Sequence, residues 1–378
     1  MTQRSHLHCS EWDGVYTANF TLESVQRYCW QIGDALLAQN WTCLIAYDTR
    51  FLSGQYARYI YQLLIARGVR ASLCPTPAPI PTIYRALEQK RADSALVVSA
   101  GNRPHWYNGL MFITPLETEP LQTVTELPVN TMLPMFPPQD IPATEQMQID
   151  LRSPYLEVVR DIVDIDLIRR SALTVFVDPM NGTASGYIPA LLGEGSQTKA
   201  VEINREMDPL FGRQVPHPFE TGVPRLRKLV KESDSHLGVA ISADGRVISL
   251  VDNTGELVPP LELALLLAQY LSRQYRVRGA VVVPLPESSA GLRRWEEATG
   301  LKVEALADPR MRINELIAQD SNDLLVGITP SSEVTLGRYS ESPDAILVAM
   351  LLIELAVRAG GRTRAQIDEL RERMTSSA

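Results

Sequence analysis

The sequence predicts an α/β protein built from three consecutive α/β/α domains with mixed, mostly parallel sheets. Short apolar runs, such as residues 43–47 and 94–98, alternate with segments whose apolar residues recur at helical spacing. Strands that alternate with helices are typical of parallel sheets covered on both faces. The pattern restarts near residue 150 and again after Pro259. The chain of 378 residues is long enough for two or three domains of ordinary size.

The first round begins with a helix at Thr21, a residue type that caps helices and here precedes apolar residues at helical spacing. The other elements predicted in this round are a strand at 43–47, a helix at 52–68, a strand at 70–73, a helix near 81–91, a strand at 94–98 and an apolar run at 110–113. Residues 115–150 then contain seven prolines and little helical periodicity, which predicts an extended crossing segment or interdomain linker.

The second and third rounds repeat this alternation. The second is predicted to contain strands at 173–177, 199–203, 238–241 and 250–252, with a helix near 184–193. The third is predicted to contain helices at 260–273, 289–299, 311–319 and 343–359, with strands at 279–283, 302–305 and 324–327. We place the domains at 1–135, 150–256 and 257–361. The tail at 362–378 is predicted to be a polar helix that frays, with its arginines facing solvent.

Composition excludes several classes of protein. The net charge of −8 argues against a general nucleic-acid binder, which would carry a basic surface. No apolar run approaches 18 residues, so we expect no membrane span, and the N-terminus lacks the apolar core of a signal peptide. The four cysteines lie in the first quarter of the chain and none has C-x-x-C spacing, so we expect reduced thiols in a cytoplasmic protein.

The loop at 98–109, V-S-A-G-N-R-P-H-W-Y-N-G, is the most informative stretch. It follows a buried strand, and its Gly, Asn and Pro residues predict a tight, exposed turn. Open α/β sheets place their chemistry at such strand ends. Yet Gly101, at the tip, has no side chain that could act as a nucleophile.

Several motifs in this order resemble the α-D-phosphohexomutase superfamily of phosphoglucomutases and phosphomannomutases. The loop at 98–109 is similar to the family's phosphoserine loop, with Pro104 and Tyr107-Asn108-Gly109 in place. Residues 47–50 (Y-D-T-R) and 178–182 (D-P-M-N-G) also resemble family motifs. Further matches lie at 202–204, 208–212, 216–218 and 343–347. The resemblance implies a phosphohexomutase fold over nearly the whole chain.

The resemblance also implies an activity, which the residues of this chain do not support. The family moves a phosphoryl group on a hexose through a sugar bisphosphate, using a phosphoserine and Mg²⁺ held by three aspartates. Its phosphoserine position falls on Gly101, and its lysine position falls on Met111. The metal loop at 242–247 keeps Asp244, whereas Ser242 and Arg246 replace the other two aspartates. We therefore expect no Mg²⁺ site and no other cofactor.

Two more family features are missing from the sequence. The sugar-recognition loop near 327–333 has no glutamate at the family's position. We also expect the family's fourth domain to be absent after residue 361. Together with the lost nucleophile and metal ligands, these departures predict a degenerate, three-domain homologue.

Individual residues leave alternatives open. Arg50 and Arg103 suit an anionic ligand or structural ion pairs equally well. Ser99 is a displaced nucleophile or, as we favour, a serine that hydrogen-bonds the turn. The side chains of Asn102, His105 and Trp106 either bind a sugar or, as we favour, cover a cleft or interface.

Two further sites have simpler interpretations. Asp244 and Arg246 favour a salt bridge over a remnant metal site. His217 and His236 are expected to be surface residues, because no readable motif gives either a catalytic partner.

We therefore expect a phosphoglucomutase/phosphomannomutase-like protein of carbohydrate metabolism that is catalytically inactive and has a regulatory or binding role. The alternatives are a sugar-phosphate-binding protein, or a divergent phosphohexomutase, an intramolecular phosphotransferase acting on hexose phosphates. The expected partners are a sugar phosphate, and an active mutase or a second copy bound through the first domain, with no nucleic acid or membrane. The candidate ligand-binding residues are Arg50, Ser99, Asn102, Arg103, Trp106 and Ser331.

Overall fold

Three separate sheets follow one another along the chain. The computed structural model describes residues 6–115, 149–219 and 223–375. The predicted linker at 115–150 lies almost entirely outside these described residues. Each of the three predicted α/β rounds contains one of the sheets, and each sheet mixes parallel with antiparallel pairs, as predicted.

The first sheet has five strands in the order β1-β5-β4-β2-β3. The strands β2, β3 and β4 are parallel, whereas β5 runs antiparallel to both β4 and β1. Its elements are β1 (His8–Val15), α1 (Leu22–Gln39), β2 (Cys43–Tyr47), α2 (Ser53–Ala66), β3 (Ala71–Leu73), α3 (Ile80–Glu88), β4 (Ser94–Val98) and β5 (Tyr107–Thr114). The sequence missed β1, because its alternation of polar and apolar residues is weak.

Local sequence explains the start of α1 and the faces of the sheet. Thr21 caps α1, as predicted: its Oγ1 accepts a hydrogen bond of 3.2 Å from the amide of Ser24. Along β5, Leu110 and Phe112 pack in the core on one face, while Met111 and Ile113 pack in the core on the other. This period-two alternation is the normal geometry of a strand buried on both faces.

The second sheet has the order β7-β6-β8-β9, with β9 antiparallel to β8. Two helices precede its first strand, and the sequence did not predict either of them. The elements are α4 (Arg152–Ile162), α5 (Ile165–Arg170), β6 (Thr174–Asp178), α6 (Tyr187–Leu192), β7 (Lys199–Glu202), α7 (Pro224–Glu232), β8 (Leu237–Ile241) and β9 (Ile248–Asp252).

The third sheet has the order β11-β10-β12-β13, with the short β13 antiparallel to β12. Its elements are α8 (Pro260–Gln274), β10 (Ala280–Pro284), α9 (Ala290–Thr299), β11 (Val303–Leu306), α10 (Pro309–Asp320), β12 (Leu324–Ile328), β13 (Val334–Thr335), α11 (Ala345–Arg358) and α12 (Thr363–Thr375). Among the described residues, no helix is both long and apolar enough to cross a membrane.

The chain divides into two compact units. The first contains the described residues up to Tyr155, together with Asn181–Thr183 and Glu206–Pro216. The second contains the remainder, so the second and third sheets share one unit. Within this unit, α11 is buried along nearly its whole length and packs against α5, α6 and α8 and against strands β8 and β9.

The prediction of a fraying tail is wrong. The helix α12 packs on α8 and α9, and its residues Ile367 and Leu370 are buried. Two apolar residues at i and i+3 are enough to place one helical face against a neighbour. The tail sequence looked polar because the rest of α12 carries charged residues.

The arginines of α12 are also not a solvated face. Arg371 forms a bidentate pair with Glu262 of α8, with both N–O distances 3.0 Å. Arg364 pairs with Asp252 of β9 at 3.2 Å. These contacts link α12 to elements of both the second and the third rounds, which sequence periodicity alone could not reveal.

Candidate functional site

The loop between β4 and β5 contains most of the predicted site residues. Ser99 follows β4 directly and is buried. Its hydroxyl donates to Oδ2 of Asp48 at 2.7 Å and accepts from the amide of Gly101 at 3.0 Å. The hydroxyl of Ser99 thus joins the turn to Asp48, and burial keeps it away from solvent.

Gly101 adopts a left-handed backbone conformation, with φ of 53°. A residue with a Cβ pays roughly 1 kcal/mol or more to hold this conformation, so the turn favours glycine at its tip. Gly109, at the other end of the loop, is required sterically. A Cβ there would lie 2.6 Å from the carbonyl oxygen of Trp12 and 2.7 Å from that of Ser99.

Arg50 holds the loop in shape from inside. Its side chain is fully buried, and its Nε donates to Oδ2 of Asp48 at 3.1 Å. The four remaining N–H groups donate to backbone oxygens of the loop at 2.6–3.1 Å. The acceptors are the carbonyls of Gly101, Arg103, Pro104 and Tyr107. All five donors of the guanidinium are therefore used within the protein, and none is left for a ligand.

Asp48 connects the parts of this network. Its carboxylate accepts hydrogen bonds from Ser53 and Ser99 and from both the backbone and the side chain of Arg50. Burial raises the pKa of the Asp48 carboxyl, and the positive charge of Arg50 and these hydrogen bonds act in the opposite direction. The site is thus a buried ion pair that supports the loop.

The exposed part of the loop is formed by Arg103 and Trp106. Arg103 is 56% exposed, pairs with Asp13 at 3.0 Å and lies 5.3 Å from the ring centre of Tyr107. Trp106 is 50% exposed, and the ring of His105 stands edge-on to it at 4.9 Å. A cation beside exposed rings is chemistry suited to a ligand with an anionic group and an apolar face.

Asn102 and Met111 have contrasting surroundings. The Oδ1 of Asn102 is buried with no hydrogen-bond partner among the described residues. The side chain of Met111, in contrast, is only 2% exposed. It packs in the core with Val97 and Ile113. A side chain at position 111 thus points into the apolar core and not into the loop.

The loop at 242–247 lies in the second unit and is closed on itself. Asp244 is buried, and its Oδ2 accepts from Nε of Arg246 at 2.7 Å. Its Oδ1 accepts from Ser242 Oγ at 2.6 Å and from the amide of Arg246 at 3.2 Å. Burial opposes ionisation, but the charge of Arg246 together with the hydrogen bonds holds the pKa of Asp244 below its usual value.

These residues do not fit a magnesium ion. Mg²⁺ requires about six oxygen ligands in octahedral geometry, usually including carboxylates. Here both oxygens of Asp244 are engaged by donors, and a guanidinium stands where a second ligand would be needed. Among the described residues, no group of three or more His, Cys, Asp or Glu side chains is placed to hold a metal.

The loop at 327–333 is joined to the loop at 242–247. The residues Val247 and Glu333 form an antiparallel bridge, and the amide of Ile248 donates to the carbonyl of Ser332 at 3.2 Å. Ser331 lies in this loop of the second unit, whereas the other predicted ligand residues belong to the first unit, and its Oγ is 2.9 Å from Oγ1 of Thr329.

Glu333 is a residue of this loop that sequence reasoning missed. It is 5% exposed, accepts a hydrogen bond from Arg310 and has an oxygen 3.9 Å from Nη1 of Arg246. A glutamate within a loop that follows a buried strand was the available signal. Its partners come from elements distant in sequence, so their pairing was not readable.

The prediction that His217 and His236 are surface residues is wrong. His217 is 4% exposed, its ring stacks on Phe219 at 3.4 Å, and both ring nitrogens lack a partner among the described residues. Burial lowers the pKa of His217 to about 4, although nearby Asp244 acts to raise it. His236 is half-buried, and its Nδ1 accepts from the amide of Thr174 at 3.0 Å.

The buried His217 predicts a pH dependence of stability. Its folded pKa of about 4 lies below the unfolded value of 6.5, so its neutral form contributes fully above pH 6.5. That contribution, about 3 kcal/mol, is lost as the pH falls from 6.5 through 4. We expect His217→Phe to reduce this acid loss, as measured by hydrogen exchange of β8 and β9 at pH 7 and pH 4.5.

A second histidine variant provides the control for this measurement. The residue His105 lies in the first unit, so His105→Gln should leave the acid loss in β8 and β9 unchanged. If His217→Phe and the wild type lose the same amount of stability between pH 7 and pH 4.5, the pH dependence does not come from His217.

Comparison with known proteins decides the family. The sequence profile of the phosphoglucomutase/phosphomannomutase alpha/beta/alpha domain I matches residues 7–126, and that of domain II matches residues 153–255. Together the two profiles cover more than half of the chain. The chain belongs to the α-D-phosphohexomutase superfamily. The motifs at 98–109 and 178–182, from which the resemblance was inferred, both lie inside the matched ranges.

Relatives in the superfamily match most of the chain at low identity. A phosphoglucosamine mutase from Marinomonas is 25% identical over 357 residues, covering 92% of this chain and 76% of the relative. A phosphoglucomutase/phosphomannomutase from Thermococcus kodakarensis is 26% identical over 306 residues, covering 78% of this chain and 64% of the relative.

Solved structures of the superfamily share the fold. A protein of Thermus thermophilus assigned to the phosphomannomutases has a TM-score of 0.85 at 22% identity, covering 97% of this chain and 83% of that protein. A phosphoglucomutase/phosphomannomutase family protein from Burkholderia thailandensis has a TM-score of 0.75 at 18% identity. The match covers 95% of this chain and 78% of that protein. These similarities confirm the predicted α/β/α architecture. The activity of this protein has to be argued from its own residues.

Proposed function

We propose that this superfamily member does not isomerise hexose phosphates and instead binds a sugar phosphate without a metal ion, in a regulatory role in carbohydrate metabolism. The observation that carries the proposal is the distance of 2.7 Å between Nε of Arg246 and Oδ2 of Asp244. The guanidinium supplies, as a fixed part of the chain, the positive charge that a metal ion would otherwise bring to this loop. The charges of Asp244 and Arg246 cancel, so this loop needs no Mg²⁺ to neutralise its carboxylate.

The loop at 98–109 supports the same proposal. Enzymatic phosphoryl transfer depends on a positioned nucleophile and on neutralisation of the phosphoryl charge. In this loop Gly101 has no side chain, and the hydroxyl of Ser99 is bonded to Asp48 and to the amide of Gly101. Because the single serine of the loop is engaged in this way, we expect the protein to bind a sugar phosphate without transferring its phosphoryl group.

The binding chemistry that remains is carried by Arg103 and Trp106. Arg103 offers an exposed guanidinium, which matches the geometry of a phosphate group. The half-exposed ring of Trp106 offers a flat apolar surface for the face of a sugar.

The test is a mutase assay of the full chain with Mg²⁺, a sugar bisphosphate activator, and the 1-phosphates of glucose, mannose and glucosamine. We expect kcat/KM at least about 10³-fold below that of the Thermococcus kodakarensis relative assayed in parallel, because nucleophile and metal ligands are both lost. Turnover that is comparable to the relative and depends on Mg²⁺ would overturn the inactive part of the proposal.

Thermal shift tests the binding part. A saturating sugar phosphate should raise Tm by about 2–4 °C, equally with Mg²⁺ and with EDTA. The shift should disappear in Arg103→Ala and Trp106→Ala and persist in Arg27→Ala, a control on the surface of α1. If none of the sugar phosphates shifts Tm, the binding part is refuted.

The regulatory part needs its own measurement. Added in excess to an active mutase, the full chain should change the kcat or the KM of that enzyme, and Trp106→Ala should reduce the effect. An unchanged rate at every ratio would remove the regulatory role and leave only ligand binding.

A further inference from the structure

The second unit contains a cavity of about 780 Å³ that no feature of the proposed function uses. Its walls come from the end of α4 and the turn that follows it, from α5 and α6, from the end of α8 and from the last turns of α11. Small-molecule sites in proteins range from about 300 to 1,000 Å³. None of the residues of the loops at 242–247 and 327–333 lines this cavity.

The floor of the cavity is a buried carboxylate whose hydrogen bonds are already made. Glu354 is fully buried, and its Oε1 accepts from Nη2 and Nε of Arg358 at 2.9 and 3.1 Å. Its Oε2 accepts from the hydroxyl of Tyr275 and from the amide of Asp164, the latter at 3.4 Å. A buried charge with this many partners holds its neighbours in fixed positions without a ligand.

Other polar groups on the walls are left without partners. The Nη1 of Arg358, the side-chain amide of Gln274 and the side-chain carboxylate of Asp166 form no hydrogen bond with the described residues. They provide donors and acceptors on the walls of one cavity, which is the pattern that a ligand with several hydroxyl groups satisfies. The ring of Tyr275 supplies an adjoining flat surface.

The charge of the walls selects among such ligands. Four carboxylates and three guanidinium groups line the cavity, so its net charge is negative. Arg160 and Arg169 are also partly engaged, since they donate to the carbonyls of Ala190, Leu192 and Glu194. A phosphorylated ligand would therefore be disfavoured, whereas an ammonium group would be favoured by the unpaired Asp161 and Asp166.

We propose that this cavity binds a small hydroxylated amine, of the amino-sugar class, without a phosphate group. The ring hydroxyls contact Arg358 and Gln274, and the ammonium group contacts Asp166. The site is independent of the sugar-phosphate site proposed at Arg103 and Trp106, so each can fail without the other.

Calorimetric titration of the full chain with glucosamine at about pH 6.5, where an amine is protonated, tests the proposal. We expect glucosamine to bind saturably with a Kd of about 1 mM, and glucose to bind at least about tenfold more weakly. In Arg103→Ala, which lacks the proposed sugar-phosphate site, glucosamine 6-phosphate should also bind at least about tenfold more weakly than glucosamine. Asp166→Asn should weaken glucosamine binding about tenfold, because it removes the charge that pairs with the amine.

Two controls separate this site from others. Glu297→Gln, an exposed acid on α9, should bind glucosamine as wild type does, and so should Arg103→Ala. The proposal is overturned if no saturable binding occurs up to about 10 mM. It is equally overturned if glucose binds as tightly, if glucosamine 6-phosphate binds Arg103→Ala as tightly as glucosamine does, or if Asp166→Asn has no effect.

Discussion

Replacing Arg50 with lysine should destabilise the first unit by about 3 kcal/mol. A lysine keeps the charge but has three donors on one nitrogen, so it cannot reach Asp48 and four separated carbonyls at once. Several buried carbonyls would then lose their partners. Urea unfolding followed by tryptophan fluorescence reports on this unit. Its four tryptophans are Trp12, Trp30, Trp41 and Trp106.

Arg103→Lys is the matched control, since Arg103 belongs to the same loop but is 56% exposed. Loss of its pair with Asp13 should cost less than about 1 kcal/mol. If Arg50→Lys and Arg103→Lys unfold at the same urea concentration, the loop does not depend on the buried guanidinium. A second outcome is that Arg50→Lys is so unstable that it does not express as a folded protein. If Arg103→Lys does express in folded form, that outcome also supports the prediction.

Replacing Arg246 with alanine should cost the second unit about 3–5 kcal/mol near neutral pH. The change leaves Asp244 as a buried carboxylate without its main counter-charge. The pKa of Asp244 lies below its usual value in the folded protein, so the pair stabilises the fold above the unfolded pKa and is lost as the pH falls through the folded one. The deficit of the variant should therefore shrink towards acid pH, as measured by hydrogen exchange of β8 and β9.

The double variant Asp244→Asn, Arg246→Leu controls for the loss of the pair itself. Because it removes both charges, it should recover most of the stability that Arg246→Ala loses. A double variant as unstable as the single one would mean that packing, and not an uncompensated charge, causes the loss. Neither variant should gain Mg²⁺ binding, because a single carboxylate or none remains in the loop.

Much of the fold was predictable from local patterns. The strands at 43–47 and 94–98 were placed correctly. Short apolar runs that are bounded by polar or turn residues are typical of fully buried strands. The motifs at 98–109 and 178–182 fixed the superfamily, which the domain profiles confirm. In contrast, β1 and α5 were missed because neither has a strong apolar period.

The candidate site was predicted in outline but not in its contacts. The sequence showed that positions 101 and 246 cannot hold a phosphoserine and a metal ligand. It left open whether Arg50 serves a ligand or the loop. That answer depends on four carbonyls brought around one guanidinium by the turn, and no spacing rule encodes such an arrangement.

The sequence by itself determined the α/β class, the family and the glycine at position 101, because each depends on residue identity at one position or on short-range periodicity. Only the tertiary structure decided that Arg50 is fully used inside the loop, that His217 is buried beside Asp244, and that α12 is docked. These three outcomes share one cause. Burial and hydrogen bonding arise from contacts between residues far apart in the chain, so they appear only when the elements have packed.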